Sequence, residues 1–142
     1  MSKQIKYNTF SLDINQKWIA HHHSKGRPGG RIDFFVLHTY DGVACDLYGW
    51  YTSRYANTAA NRKKGIAGKL KAGGAAHYAI CMSGKIFQYV NDADTAWANT
   101  NSWANRMSLT TEHADNGNAA DSKRTNALYD ASARLHAHFS LK

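Results

Sequence analysis

A run of β-branched and aromatic residues that ends in a histidine, Arg31 to Gly42 (RIDFFVLHTYDG), constrains this chain more than any other stretch. Ile32 to Leu37 is apolar apart from Asp33, and the residues that follow are His38, Thr39, Tyr40, Asp41 and Gly42. Such a run predicts a buried strand, covered on both faces and central in its sheet, that empties into a polar turn. His38 stands where that strand surfaces, which suits a ligand or a catalyst. The other reading is a histidine that caps the strand and hydrogen-bonds locally.

With 142 residues the chain is expected to form one domain, an N-terminal arm and loop over 1–30 followed by an α/β core over 31–142. The 18 Lys and Arg against 10 Asp and Glu leave a net charge of +8, which favours an anionic partner. Nucleic acid, an acidic lipid surface and a bacterial wall all qualify, because net charge governs encounter and not chemistry. No RNA or DNA recognition motif accompanies the charge, so specific nucleic-acid binding is not expected. Cys45 and Cys81 are 36 positions apart with no CxxC spacing, which indicates neither a zinc ribbon nor a disulfide-rich scaffold. MSKQIKYNTFSLDINQKW has no apolar signal region, and nowhere do about 18 uncharged apolar residues run together. The chain is therefore expected to be made in the cytoplasm without a signal peptide, to have no transmembrane segment, and to depend on another agent for delivery to any target outside.

Ahead of the key strand, HHHSKGRPGG (residues 21–30) reads as an irregular loop. His21, His22 and His23 are adjacent, and on an extended chain neighbours point to opposite sides, so solvated loop histidines are favoured over a joint metal site. Beyond the strand, Leu47, Trp50, Tyr51 and Tyr55 mark one apolar face of a helix near 44–58. Asn61 to Gly74 is a basic, glycine-rich loop, either attracted to a polyanion or simply solvated. Ala76 to Val90 (AHYAICMSGKIFQYV) predicts a hairpin turning at Met82 to Lys85. Asn91 to Asn105 is polar except for Trp97 and Trp103 and reads as a long loop over the sheet, its tryptophans serving as packing anchors or as stacking surfaces for sugar or peptide. Met107 to His113 predicts a further strand ending at Glu112, and Leu128, Ala131, Leu135 and Phe139 form the stripe of a closing helix near 123–140.

Taken in order, FFVLHTYDG at 34–42, AAHYAICMSGKIFQYV at 75–90, ADTAWANTNSW at 93–103 and SLTTEH at 108–113 resemble the type 2, zinc-dependent N-acetylmuramoyl-L-alanine amidases. That group includes many phage endolysins and is similar in fold to peptidoglycan recognition proteins. The resemblance implies an α/β domain with a central mixed sheet flanked by helices, bound Zn2+, bacterial peptidoglycan as partner, and action as a monomer. By the same resemblance His38 matches the first zinc ligand and Glu112 the catalytic carboxylate, while His77 and Trp97 take substrate-lining places, His77 with a structural role as the alternative. Some relatives carry a catalytic tyrosine just before that histidine, where this chain has Ala76.

In the family the second histidine and the third ligand, an Asp or Cys, follow the helix that matches 123–140. The resemblance therefore implies a domain truncated at its C-terminal side, weakly active or inactive unless another polypeptide completes it or His113 or the triple histidine substitutes. Three functions follow as expectations: hydrolysis of the bond between N-acetylmuramic acid and L-Ala, binding of muropeptide without hydrolysis, and, more remotely, nucleic-acid binding.

Overall fold

The alternation over 76–90 folds as the hairpin it predicts. The computed structural model describes residues 12–16, 20, 22–42, 47, 51, 63, 74–115 and 124–140. In chain order its elements are β1 (Ile14–Asn15), β2 (His23–Ser24), β3 (Phe34–Asp41), β4 (Tyr78–Ile80), β5 (Ile86–Gln88), β6 (Thr95–Ala96), α1 (Ser102–Met107), β7 (Ser108–Asp115) and α2 (Asn126–Ser140). The β4–β5 turn closes with Gly84 at φ +80°, a left-handed conformation open to glycine. A Cβ on Gly84 would also sit 2.7 Å from the carbonyl oxygen of Ala127, so the same residue lets α2 dock on the turn. The helix expected near 44–58, the basic loop over 61–74, Cys45 and most of the N-terminal arm lie outside the described residues, apart from single positions such as Leu47 and Tyr51.

Five strands form a mixed sheet in the order β1-β5-β4-β7-β3, antiparallel between β5 and β4 and parallel elsewhere. This is the expected fold class, with one correction. Among the described residues β3 is an edge strand, the interior place beside it belongs to β7, and β4 is the middle strand of the five. Nor is β3 covered on both faces as expected: none of residues 34–40 is fully buried, because an edge strand lacks a neighbour on one side, and an apolar run carries no information on how many lateral partners the backbone finds. β7 is almost wholly buried although six of its eight side chains are polar, whereas Leu37 on β3 is 60% exposed.

Side chains alternate across the sheet and give its two faces different work. On one face Phe35 packs against His136 and Phe139 of α2, at 4.8 and 6.4 Å between ring centres, and Tyr78 meets Phe139 at 5.8 Å. Leu128 and Leu135 of α2 are fully buried there, each stabilising the fold by about 1.5–3 kcal/mol. On the other face Phe34 packs on Trp103 at 5.5 Å. Trp103 belongs to α1, inside the segment expected to be a plain loop. Asn101 caps that helix, its Oδ1 accepting from the main-chain N–H of Trp103 and Ala104 at 2.8 and 3.1 Å. The same segment supplies β6, which pairs antiparallel with β2.

Arg27, from the loop before β3, ties these pieces together. Its buried guanidinium donates to the carbonyls of Asp92, Asp94, Arg106 and Ser108 at 2.6–3.2 Å. No helix of the described residues is long and apolar enough to cross a membrane.

Candidate active site

His38 and Glu112 are register partners in the β3–β7 ladder, so their side chains leave the same face of the sheet. The loop after β6 lies over that face. His38 Nε2 is 2.9 Å from Asn99 Oδ1, and because an amide oxygen only accepts, Nε2 carries the proton. Asn99 is itself held by a reciprocal pair with Asn105: its N–H donates to Asn105 Oδ1 at 2.7 Å, and Asn105 Nδ2 donates back to its carbonyl at 3.0 Å.

Beside Glu112 is a cavity of about 350 Å3 lined by Tyr40, Leu47, Tyr51, Gly74, Ala75, Ala98 and the carboxyl group. The small residues at 74, 75 and 98 are what leave it open. Glu112 Oε2 is buried and, among the described residues, has no hydrogen-bond partner. Burial pushes the carboxyl above the usual carboxylate range, with His38 opposing in part. A raised carboxyl with an unoccupied oxygen can accept a proton and return it, which is general acid–base chemistry.

Tyr51 shares this wall. It is 4% exposed, its ring meets Tyr89 edge-on at 5.0 Å, and its hydroxyl accepts the main-chain N–H of Ala76. Burial above all, then the nearby Glu112, drives its phenol well above the ordinary range, so it stays protonated. Tyr51 was legible only as part of an apolar helix stripe. Asn99 and Asn105 lay in a polar loop with nothing local to single them out.

His77 is fully buried and far more constrained than a cavity-lining residue. Nδ1 accepts the N–H of Thr110 at 3.1 Å, so the proton of the neutral ring is on Nε2 and is donated to the carbonyl of Asp94 at 3.2 Å. Arg27 Nη2 is 2.9 Å from Nε2, but both atoms are donors there, and the Arg27 protons go instead to the carbonyls of Asp92 and Asp94. Burial lowers the His77 pKa to about 4. Of its two expected roles the enclosure favours the structural one, because an imidazole with no exposed surface has none to offer a substrate. Trp97 is 46% exposed. Its indole N–H donates to Ser24 Oγ at 2.9 Å and its carbonyl accepts from Ala75, while the next two residues reach the cavity wall and His38.

The substitute ligands do not converge. His113 leaves the opposite face of β7 from Glu112: its Nδ1–H donates to the His38 carbonyl at 3.1 Å and its Nε2 accepts from Ser132 Oγ at 2.8 Å. It therefore cannot share a metal with the His38 imidazole. Of the triple histidine, His22 sits by Trp97 with ring centres 6.1 Å apart, His23 Nδ1 donates to the Ala20 carbonyl at 2.7 Å, and His21 lies outside the described residues.

A mixed sheet carrying a helix on one face and a histidine–carboxylate pair beside a cavity on the other defines a fold shared by peptidoglycan amidases and peptidoglycan recognition proteins. The chain resembles a selenomethionine derivative of AmpD (TM-score 0.62, 18% identity, covering 93% of this chain and 76% of that one). It resembles the N-acetylmuramoyl-L-alanine amidase LysC from Clostridium intestinale URNW (0.57, 11%, 91% and 75%) and the Drosophila peptidoglycan recognition protein SA (0.55, 16%, 89% and 71%). At these identities the likeness is one of fold. The sequence pattern of the N-acetylmuramoyl-L-alanine amidases matches residues 28–142, and the chain belongs to that family. No curated protein matches it in sequence.

The family is generally zinc-dependent. A catalytic zinc needs three protein ligands and an open fourth position. Among the described residues no three His, Cys, Asp or Glu side chains converge, and the single imidazole at the site directs its Nε2–H to Asn99. These residues do not by themselves fit a zinc site, and no step below runs through a metal.

Proposed function

We propose that this chain acts on bacterial peptidoglycan, hydrolysing the amide between N-acetylmuramic acid and the L-Ala of the stem peptide as an endolysin does. The observation that carries the reading is Glu112, a carboxyl with one buried, unpartnered oxygen at the wall of a cavity and beside His38. In the reaction the Glu112 carboxylate takes a proton from water as the water oxygen bonds to the amide carbon. It returns that proton to the nitrogen as the C–N bond breaks. Family membership and the likeness to LysC support the same substrate. The net charge of +8 suits an anionic wall. The protein works as a monomer and reaches the wall after release from the cytoplasm by another agent. Zinc binding at His38 requires ligands from outside the described residues.

A second reading is recognition of muropeptide without hydrolysis. It is favoured by the absence of a three-ligand group among the described residues. Both readings are tested by incubating the protein with purified peptidoglycan and added Zn2+, then measuring released L-Ala-bearing peptide and protein co-sedimented with the wall. Release supports hydrolysis; co-sedimentation without release supports recognition alone. Neither release nor co-sedimentation overturns both.

A further inference from the structure

We propose that Tyr51 is a further catalytic residue, donating its phenol proton in a hydrogen bond to the carbonyl oxygen of the scissile amide; this rests on the hydrolytic reading above. Three observations converge on it. Tyr51 and Glu112 line one cavity, on walls supplied by different parts of the chain. The Tyr51 oxygen already accepts the Ala76 N–H, which orients the hydroxyl and leaves its own proton to be given elsewhere. The ring is pinned by the edge contact with Tyr89, whose hydroxyl in turn accepts the Leu47 N–H at 2.8 Å, one helical turn before Tyr51.

A rigid donor at a dry wall is what a developing oxyanion needs. As water attacks, the carbonyl π pair moves onto oxygen and the Tyr51 O–H bonds to that charge without transferring its proton. Glu112 meanwhile carries the proton from the water to the nitrogen. When the C–N bond breaks, the carbonyl reforms, the Tyr51 contact weakens, and the products are a carboxylic acid and an amine. Small residues keep this wall open: Gly74 has no room for a Cβ, which would lie 2.2 Å from the Trp97 carbonyl, and Gly74, Ala75 and Ala98 line the cavity with little bulk.

The test is Tyr51→Phe, which keeps the ring and its contact with Tyr89. Initial rates are measured on a soluble N-acetylmuramoyl-pentapeptide with Zn2+ added. The expected result is a fall in kcat of about 10²-fold with KM within about threefold, because the bond strengthens only in the transition state. Tyr78→Phe removes a buried phenol hydroxyl on the α2 face of the sheet, away from the cavity, and is expected to keep kcat within about threefold. A Tyr51→Phe enzyme with wild-type kcat overturns the proposal, and so does an equal loss in Tyr78→Phe, which would assign the effect to packing. A wild-type protein that binds the muropeptide but never cleaves it overturns the hydrolytic reading itself, an outcome distinct from both.

Discussion

His38 and Glu112 are register partners across the parallel β3–β7 ladder, and among the described residues Glu112 Oε2 has no hydrogen-bond partner while His38 Nε2 bonds Asn99. Glu112 also lines the cavity, and its Oε2 is buried. Glu112→Gln is therefore expected to leave the fold intact and to lower the hydrolysis rate about 10²–10⁴-fold, the usual contribution of a positioned proton carrier. Because the amide removes a carboxyl that burial disfavours, the variant should unfold at a temperature no lower than the wild type. Peptide release together with thermal unfolding checks both statements; a wild-type rate would take Glu112 out of the mechanism.

Arg27 offers a stability prediction of unusual size for a loop residue. Its guanidinium satisfies the carbonyls of Asp92, Asp94, Arg106 and Ser108, and each buried carbonyl left without a donor costs about 1–3 kcal/mol. Arg27→Ala should cost more than about 3 kcal/mol in urea unfolding. Arg27→Lys should recover only part of this, since a single ammonium has three donors and no fork geometry. A loss below about 1 kcal/mol for Arg27→Ala would mean that other donors or water take over those carbonyls.

The buried histidine at 77 makes stability depend on pH. Its folded pKa of about 4 lies below the ordinary 6.5, so the unfolded chain binds the proton more tightly. The stabilisation is complete above pH 6.5 and is lost as pH falls toward 4, by an amount on the order of 3 kcal/mol. His113 and His136, both lowered chiefly by burial, act in the same direction. Urea midpoints measured from pH 7.5 down to pH 4 should fall through this window, and the His77 ring protons should stay unshifted down to about pH 5. A ring titrating near 6.5 would show that the imidazole is open to water.

Zinc is expected to be held weakly by the 142-residue chain, since a lone imidazole makes a poor site. Elemental analysis after dialysis should find well under one zinc per chain. Full occupancy in the wild type would place the remaining ligands among residues outside those described.

Local patterns in the sequence determined much of the fold. Alternation and Gly84 specified the hairpin, the Leu128, Ala131, Leu135 and Phe139 stripe specified α2, and the apolar run into His38 specified β3, because each depends on neighbours a few residues away. The order of motifs also put His38 and Glu112 on two strands, but at their ends, whereas both strands run on three residues further, to Asp41 and Asp115, because the parallel β3–β7 pairing continues past the polar residues. What only the tertiary structure decided were the relations across long stretches of chain. That, among the described residues, β7 and not β3 lies between two strands depends on backbone pairing, to which side-chain type is nearly blind. Arg27 finds its carbonyls as many as 81 residues away, and Tyr51 meets Ala76 and Glu112 from a segment legible only as an amphipathic stripe. Side-chain periodicity encodes which face is covered; it does not encode what covers it, and both the cavity and its polar groups are made by that choice.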